Sequence, residues 1–141
     1  MRADAVVLGR VLLHYRVRAR LSQAALATAI GHPQSMVSRI ERGHHVLGLF
    51  LFRRLCEALS VSSAVVEDVV GKVTTRLRGV VESFTAMPVT GSWWDEAIRR
   101  GGERGATGLV EFVVAAVLYD LNVPAAKRTR KPGQVRGPVP S

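Results

Sequence analysis

Gln34, Ser35, Ser38 and Arg39 place an amide, two hydroxyls and a guanidinium within six residues, with no carboxylate between them. At about 100° per residue these four fall on one arc of a helix, and Met36, Val37 and Ile40 fall on the opposite arc. Groups of these types hydrogen-bond base edges in a major groove: Gln fits adenine, Arg fits guanine, and Ser fits either. The plain alternative for an isolated helix is a solvated outer face. The residues on either side decide between the two readings.

Ser22 precedes a run in which Leu26, Ala29 and Ile30 share a face, so its hydroxyl is expected to cap a helix that starts near Gln23. That helix ends at Gly31, because glycine takes the left-handed conformation that turns the chain. Pro33 stands where a first helical turn tolerates a residue without an N–H, and a second helix starts around Gln34. Residues 21 to 43 therefore spell two short helices joined by a tight glycine turn, the arrangement that seats one helix in a DNA groove.

Leu8-Gly9, Leu12, Tyr15 and Arg16 come before this stretch. Within it and after it stand Leu21-Ser22-Gln23, Leu26-Ala27, Gly31, Val37-Ser38, Ile40-Glu41, Gly43, Leu55, Ala58-Leu59 and Val61. In this order and without a gap, residues 8–61 resemble the phage repressor/Cro-like (Xre) helix-turn-helix family. The resemblance implies an all-α chain that opens with a five-helix, lambda-repressor-like domain. It also implies that Gln34, Ser35, Ser38 and Arg39 approach bases, and that Gln23 contacts a phosphate from the first turn of the second helix. Arg16 and Glu41 occupy positions that pair in the family, and breaking such a pair leaves one charge unmatched at a cost of roughly 3–5 kcal/mol. Three positions depart from the pattern. Arg20 replaces a turn residue that is often glycine, Pro33 replaces a Ser/Thr cap, and Leu47-Gly48 replaces a Pro-Ser helix start.

At 141 residues and 48% apolar content, the chain is one domain, or a small domain with an appendage, and can bury a compact core. Leu109 to Leu121 carries Glu111 and Asp120 and is too short to span a bilayer. Arg2 and Asp4 precede no long apolar region, so there is no signal-like start, and a cytoplasmic location is expected. The single cysteine, Cys56, lies in the apolar pattern around Phe52 and Leu55; it excludes an internal disulfide and is read as core. His14, His32, His44 and His45 have no cysteine or acidic cluster beside them, so neither metal nor cofactor is expected. Arg42, His44 and His45, at and just beyond the end of the second helix, are candidate phosphate contacts; solvated loop residues are the other reading.

The net charge of +9 is uneven. Residues 1–61 hold 9 Lys/Arg against 3 Asp/Glu, residues 62–123 hold 6 against 8, and the last eighteen hold 5 against none. Two basic parts thus flank a middle with another task, and the expected division is 1–61, 62–123 and 124–141. In the middle, Val66, Val70, Val73, Leu77, Val80 and Phe84 recur at heptad spacing, a stripe that buries best against another helix. Ser92-Trp-Trp-Asp95 resembles a helix-starting box whose helix runs to Gly101-Gly102, with Trp93 and Trp94 read as anchors between helices or subunits; a ligand pocket is the alternative. A further helix, apolar on nearly all sides, is expected from Thr107 or Gly108 to Asn122. A monomer of this size has little core for both apolar segments, so 62–123 is read as a helical dimerisation region. The Lys127–Lys131 run opens a Pro/Gly-rich tail expected to be disordered, either solubilising or phosphate-contacting.

The expected function is a homodimeric transcriptional regulator of the repressor kind, binding double-stranded DNA at an inverted repeat through residues 34–42. An antitoxin-like autoregulator, binding a protein partner through 62–123, makes the same DNA-binding predictions. Cyanate lyase resembles the family in its N-terminal half and is an enzyme. Residues 62–141, however, carry no Ser/His/Asp, Cys/His, paired-carboxylate or phosphate-loop constellation, so no catalytic residue is assigned.

Overall fold

A computed structural model describes residues 3–85 and 92–121, and all its secondary structure there is helical. The elements are α1 (Ala3–Arg18), α2 (Gln23–Ile30), α3 (Gln34–Glu41), α4 (Leu49–Ala58), α5 (Ser63–Thr85) and α6 (Trp93–Asp120). The boundaries follow local chemistry. Ser22 Oγ accepts the Ala25 N–H at 3.0 Å and so caps α2. At its other end Gly31 takes φ 74°, and the His32 and Gly31 amides donate back to the Ala27 and Thr28 carbonyls. Pro33, at φ −66° and ψ 151°, leads into α3 without a side-chain cap. In the α1–α2 turn Arg20 adopts φ 61°, the left-handed conformation that glycine takes at less cost.

α2 buries Leu26, Ala27 and Ile30, whereas Ala29 is exposed. The expected face is therefore corrected by one position. Ala27 and Ala29 flank the Leu26–Ile30 ridge on opposite sides, and α3 and α4 pack on α2 and close the Ala27 side.

α1 and the end of α3 cross in close contact. A Cβ at Gly9 would lie 2.2 Å from the Ile40 carbonyl oxygen, and a Cβ at Gly43, where φ is 78°, would lie 2.8 Å from the Val6 Cα. The two segments meet backbone to backbone at both glycines, which fixes where α3 sits on α1.

α5 buries Val66, Val69, Val73, Leu77 and Val81. The expected heptad stripe coincides with this face at Val66, Val73 and Leu77, and Val70 is partly buried. It then departs: Val80 is half-buried, and Phe84 is 64% exposed. Position 80 lies two heptads beyond Val66, and over that length a straight helix slips about 40° against a 3.5-residue repeat, which favours position 81 over 80 for the core face; Phe84 lies in the last turn of α5.

Ser92 Oγ accepts the Trp94 and Asp95 amides at 3.2 and 3.4 Å and caps α6. Gly102, at φ 72° and ψ 176°, breaks α6 in two, and helix resumes at once rather than at Thr107 or Gly108. Thr107 Oγ donates to the Glu103 carbonyl at 2.9 Å, an internal helical bond that leaves it no capping role.

α5 packs along α6, and both pack on α1. One buried cluster runs from Val6 to Leu118 across position 61, so the chain supplies core for both apolar segments by itself. Val66, Val73, Leu77, Trp93 and Trp94 are taken up by that core. The two tryptophans are 3% and 4% exposed and meet edge to face at 5.8 Å within one chain. Cys56 is buried too, and burial, with the Glu67 charge adding to it, pushes its thiol above the usual range. Among the described residues no helix is long and apolar enough to cross a membrane.

Candidate nucleic-acid interface

α3 turns Val37 and Ile40 inward, at 1% and 3% exposure, and keeps Gln34, Ser35 and Arg39 exposed, with Ser38 half-buried. The four candidate readers therefore lie together on one face with no acid among them. Glu41, the next carboxylate along, faces the other way and is buried.

Glu41 accepts three hydrogen bonds from two side chains. Arg16 Nε donates to its Oε2 at 2.6 Å and Arg16 Nη2 to its Oε1 at 3.1 Å, a two-pronged pair, while Arg16 Nη1 donates to the Leu21 carbonyl at 2.8 Å. Gln23 Nε2 donates to Glu41 Oε1 at 2.9 Å. One buried carboxylate thus ties together α1, the turn after it, the first residue of α2 and the end of α3. Gln34 Nε2 reaches Gln23 Oε1 at 3.5 Å, so the network runs on to the first residue of the exposed face. Gln23 has one amide hydrogen on Glu41 and a second for an outside acceptor such as phosphate.

Beyond α3, Arg42 and His44 are exposed, and the His44 amide donates to the Arg39 carbonyl at 2.8 Å, which folds the loop back on the helix end. His45 is half-buried and lines a cleft of about 200 Å³ with Asp4, Leu8, Ile40 and Leu47. It therefore sits against α1, a less open position than that of His44.

A cation missed in the sequence lies beside the same surface. Arg53 and Arg54 are both exposed on α4, and Arg54 Nη2 lies 3.8 Å from where a Cβ on Gly31 would stand, beside the helix-turn-helix bend. The signal was present: Phe52, Leu55 and Cys56 set the buried face of α4, which leaves positions 53 and 54 outward. Arg18 is a different case. It lies 5.9 Å over the Tyr15 ring, and burial lowers its pKa and raises that of Tyr15.

A second polar contact joins this surface's supporting helix to the C-terminal half. His14 Nε2 lies 2.6 Å from Glu111 Oε1 on α6, and Arg10 Nε lies 3.5 Å from Glu111 Oε2. The basic run Lys127–Lys131 falls outside the described residues, and among those described no group of three His, Cys, Asp or Glu could hold a metal ion.

Residues 7–69 match a family model described as a helix-turn-helix domain. No curated protein matches the chain.

Proposed function

From a chain whose residues 7–69 are a helix-turn-helix domain, we propose a cytoplasmic, sequence-specific, DNA-binding transcriptional regulator that binds an inverted-repeat operator as a homodimer. Each subunit lays α3 in the major groove of one half-site. Gln34, Ser35, Ser38 and Arg39 read base edges there, and Gln23, Arg42, His44 and Arg54 of α4 hold phosphates. The observation that carries this reading is the acid-free polar face of α3, exposed on a helix whose position is set by two glycine contacts and a buried ion pair. Two such helices related by a two-fold axis reach half-sites whose centres lie about 34–36 Å apart.

The test is binding of the full chain to its own upstream DNA against random duplex across a salt series, with mass measured by light scattering. A dimer that prefers its own region, with affinity falling steeply as salt rises, supports the reading. Equal affinity for both DNAs would remove residues 34–39 from base readout.

A further inference from the structure

From Ala106 onward α6 is apolar on almost every side, and among the described residues only part of that surface is covered. Val110, Val113, Val114, Val117 and Leu118 are buried. On the outward side Phe112 is 72% and Tyr119 84% exposed, and Gly108 and Ala115 are exposed with them. Gly108, Phe112, Ala115 and Tyr119 follow one another at spacings of 4, 3 and 4, which sets them in a single stripe alternating small and large. A helix that is apolar all round calls for burial all round, and a row of exposed aromatics is uncommon on a monomer.

We propose that this stripe is where a second copy of the chain docks, its α6 running antiparallel to the first across a two-fold axis. The size order selects that occupant and that direction. Antiparallel pairing centred midway between Val113 and Val114 sets position 112 opposite 115 and position 108 opposite 119. Phe112 then enters the space over the partner's Ala115, and Tyr119 the space over the partner's Gly108, so each knob meets a hole. Parallel pairing would stack aromatic on aromatic and leave the two small positions as gaps.

Charge agrees with this arrangement. None of the four residues is Asp, Glu, His, Lys or Arg, and neighbouring Glu111 is turned toward Arg10 and His14 of its own α1. Area agrees as well. Four aromatic side chains at about 150–250 Å² each supply most of the roughly 1,000 Å² that a specific interface buries. The inference rests on the homodimeric reading above and names a surface for it, since Val66, Val73 and Leu77 of the α5 stripe are already used within the chain.

The test compares full-length wild type, Phe112→Arg and Ala115→Glu, by light scattering and by binding to an inverted repeat and to an isolated half-site. Both changes fall on exposed positions, and a melting curve checks that each variant folds. Wild type is expected to be a dimer. Each single variant is expected to be a monomer, to keep its half-site affinity and to lose at least tenfold on the inverted repeat. Mixing the two variants is expected to restore a dimer, with one Arg–Glu pair and one native Phe–Ala contact across the axis. A Phe112→Arg protein that stays dimeric overturns the stripe and leaves the homodimer standing. Single monomers that fail to pair on mixing overturn the antiparallel register. A wild type that is monomeric yet prefers its own upstream DNA overturns the interface and leaves the regulator.

Discussion

The α1–α3 contact and the α5–α6 contact hold one chain together by opposite means. At the first, two backbones touch across Gly9 and Gly43, and one buried carboxylate takes hydrogen bonds from Arg16 and Gln23. At the second, valines and leucines such as Val73, Leu77, Val113 and Val117 fill a shared interior, and the ion pair across it, Arg76 to Asp120 at 2.8 Å, lies outside that interior on the exposed edge. The first arrangement has no space for even a methyl group, so filling it must move the two backbones apart. The second is a sum of many weak contacts and yields gradually to change. The helix proposed to enter the groove is positioned by the intolerant kind. A reader of base edges gains from that, since its side chains must arrive in register.

The largest expected effect tests the intolerant contact directly. Glu41→Ala removes the shared acceptor and leaves the Arg16 guanidinium mostly enclosed and unpaired. The expected loss is about 3–5 kcal/mol of stability in thermal unfolding, together with loss of specific DNA binding. A variant that melts like the wild type would show that the pair is a decoration on a contact held by packing alone.

A matched pair of substitutions separates the two regions by readout. Leu77→Ala opens a cavity in the α5–α6 interior and is expected to cost about 2–5 kcal/mol. While the protein stays folded, its affinity for cognate DNA should be that of the wild type. Gly9→Ala forces α1 and α3 apart against the Ile40 carbonyl and is expected to cost less, about 1–3 kcal/mol. It should nevertheless lower cognate binding at least tenfold at a temperature where both variants are folded. Binding losses that simply track stability in both variants would erase the distinction drawn between the regions.

Arg39→Ala works on neither contact. It is expected to leave the melting temperature unchanged and to cost about 1–3 kcal/mol of binding to cognate DNA, with relaxed choice at one base pair. Equal losses on cognate and random duplex would make Arg39 a phosphate contact.

What the sequence revealed divides along the same line. Ser22, Gly31, Pro33 and Ser92 act within a few residues of themselves, and their caps and turns are legible from type and order. The exposed face of α3 is legible for the same reason, because period alone separates Gln34 and Arg39 from Val37 and Ile40. The closeness of Gly9 to Ile40 depends on two segments about thirty residues apart, and a glycine inside a helix does not announce what approaches it. The α5 stripe is legible in its first half and drifts in its second, since only packing decides whether a helix coils to hold a heptad or runs straight. The apolar excess of residues 109–121 is visible in the sequence. Which side of it faces inward is not, because Phe112 and Val113 differ little in type and entirely in surroundings.

The smallest expected effect concerns strain rather than contact, and it occurs once near each region. Arg20 and Ser60 hold φ at 61° and 55°, one in the turn between α1 and α2, the other between α4 and α5. A side chain there costs roughly 1–2 kcal/mol relative to glycine in the left-handed well, and glycine gives part of that back through the greater entropy of its unfolded chain. Ser60→Gly is therefore expected to raise stability by about 0.5 kcal/mol, a rise of a few degrees in melting temperature, and Arg20→Gly by no more than that, since glycine also loses the arginine's interaction. The two should add, since the turns lie in different parts of the fold. A fall in melting temperature for Arg20→Gly alone would mean that the arginine side chain contributes more to the α1–α2 turn than its backbone conformation costs.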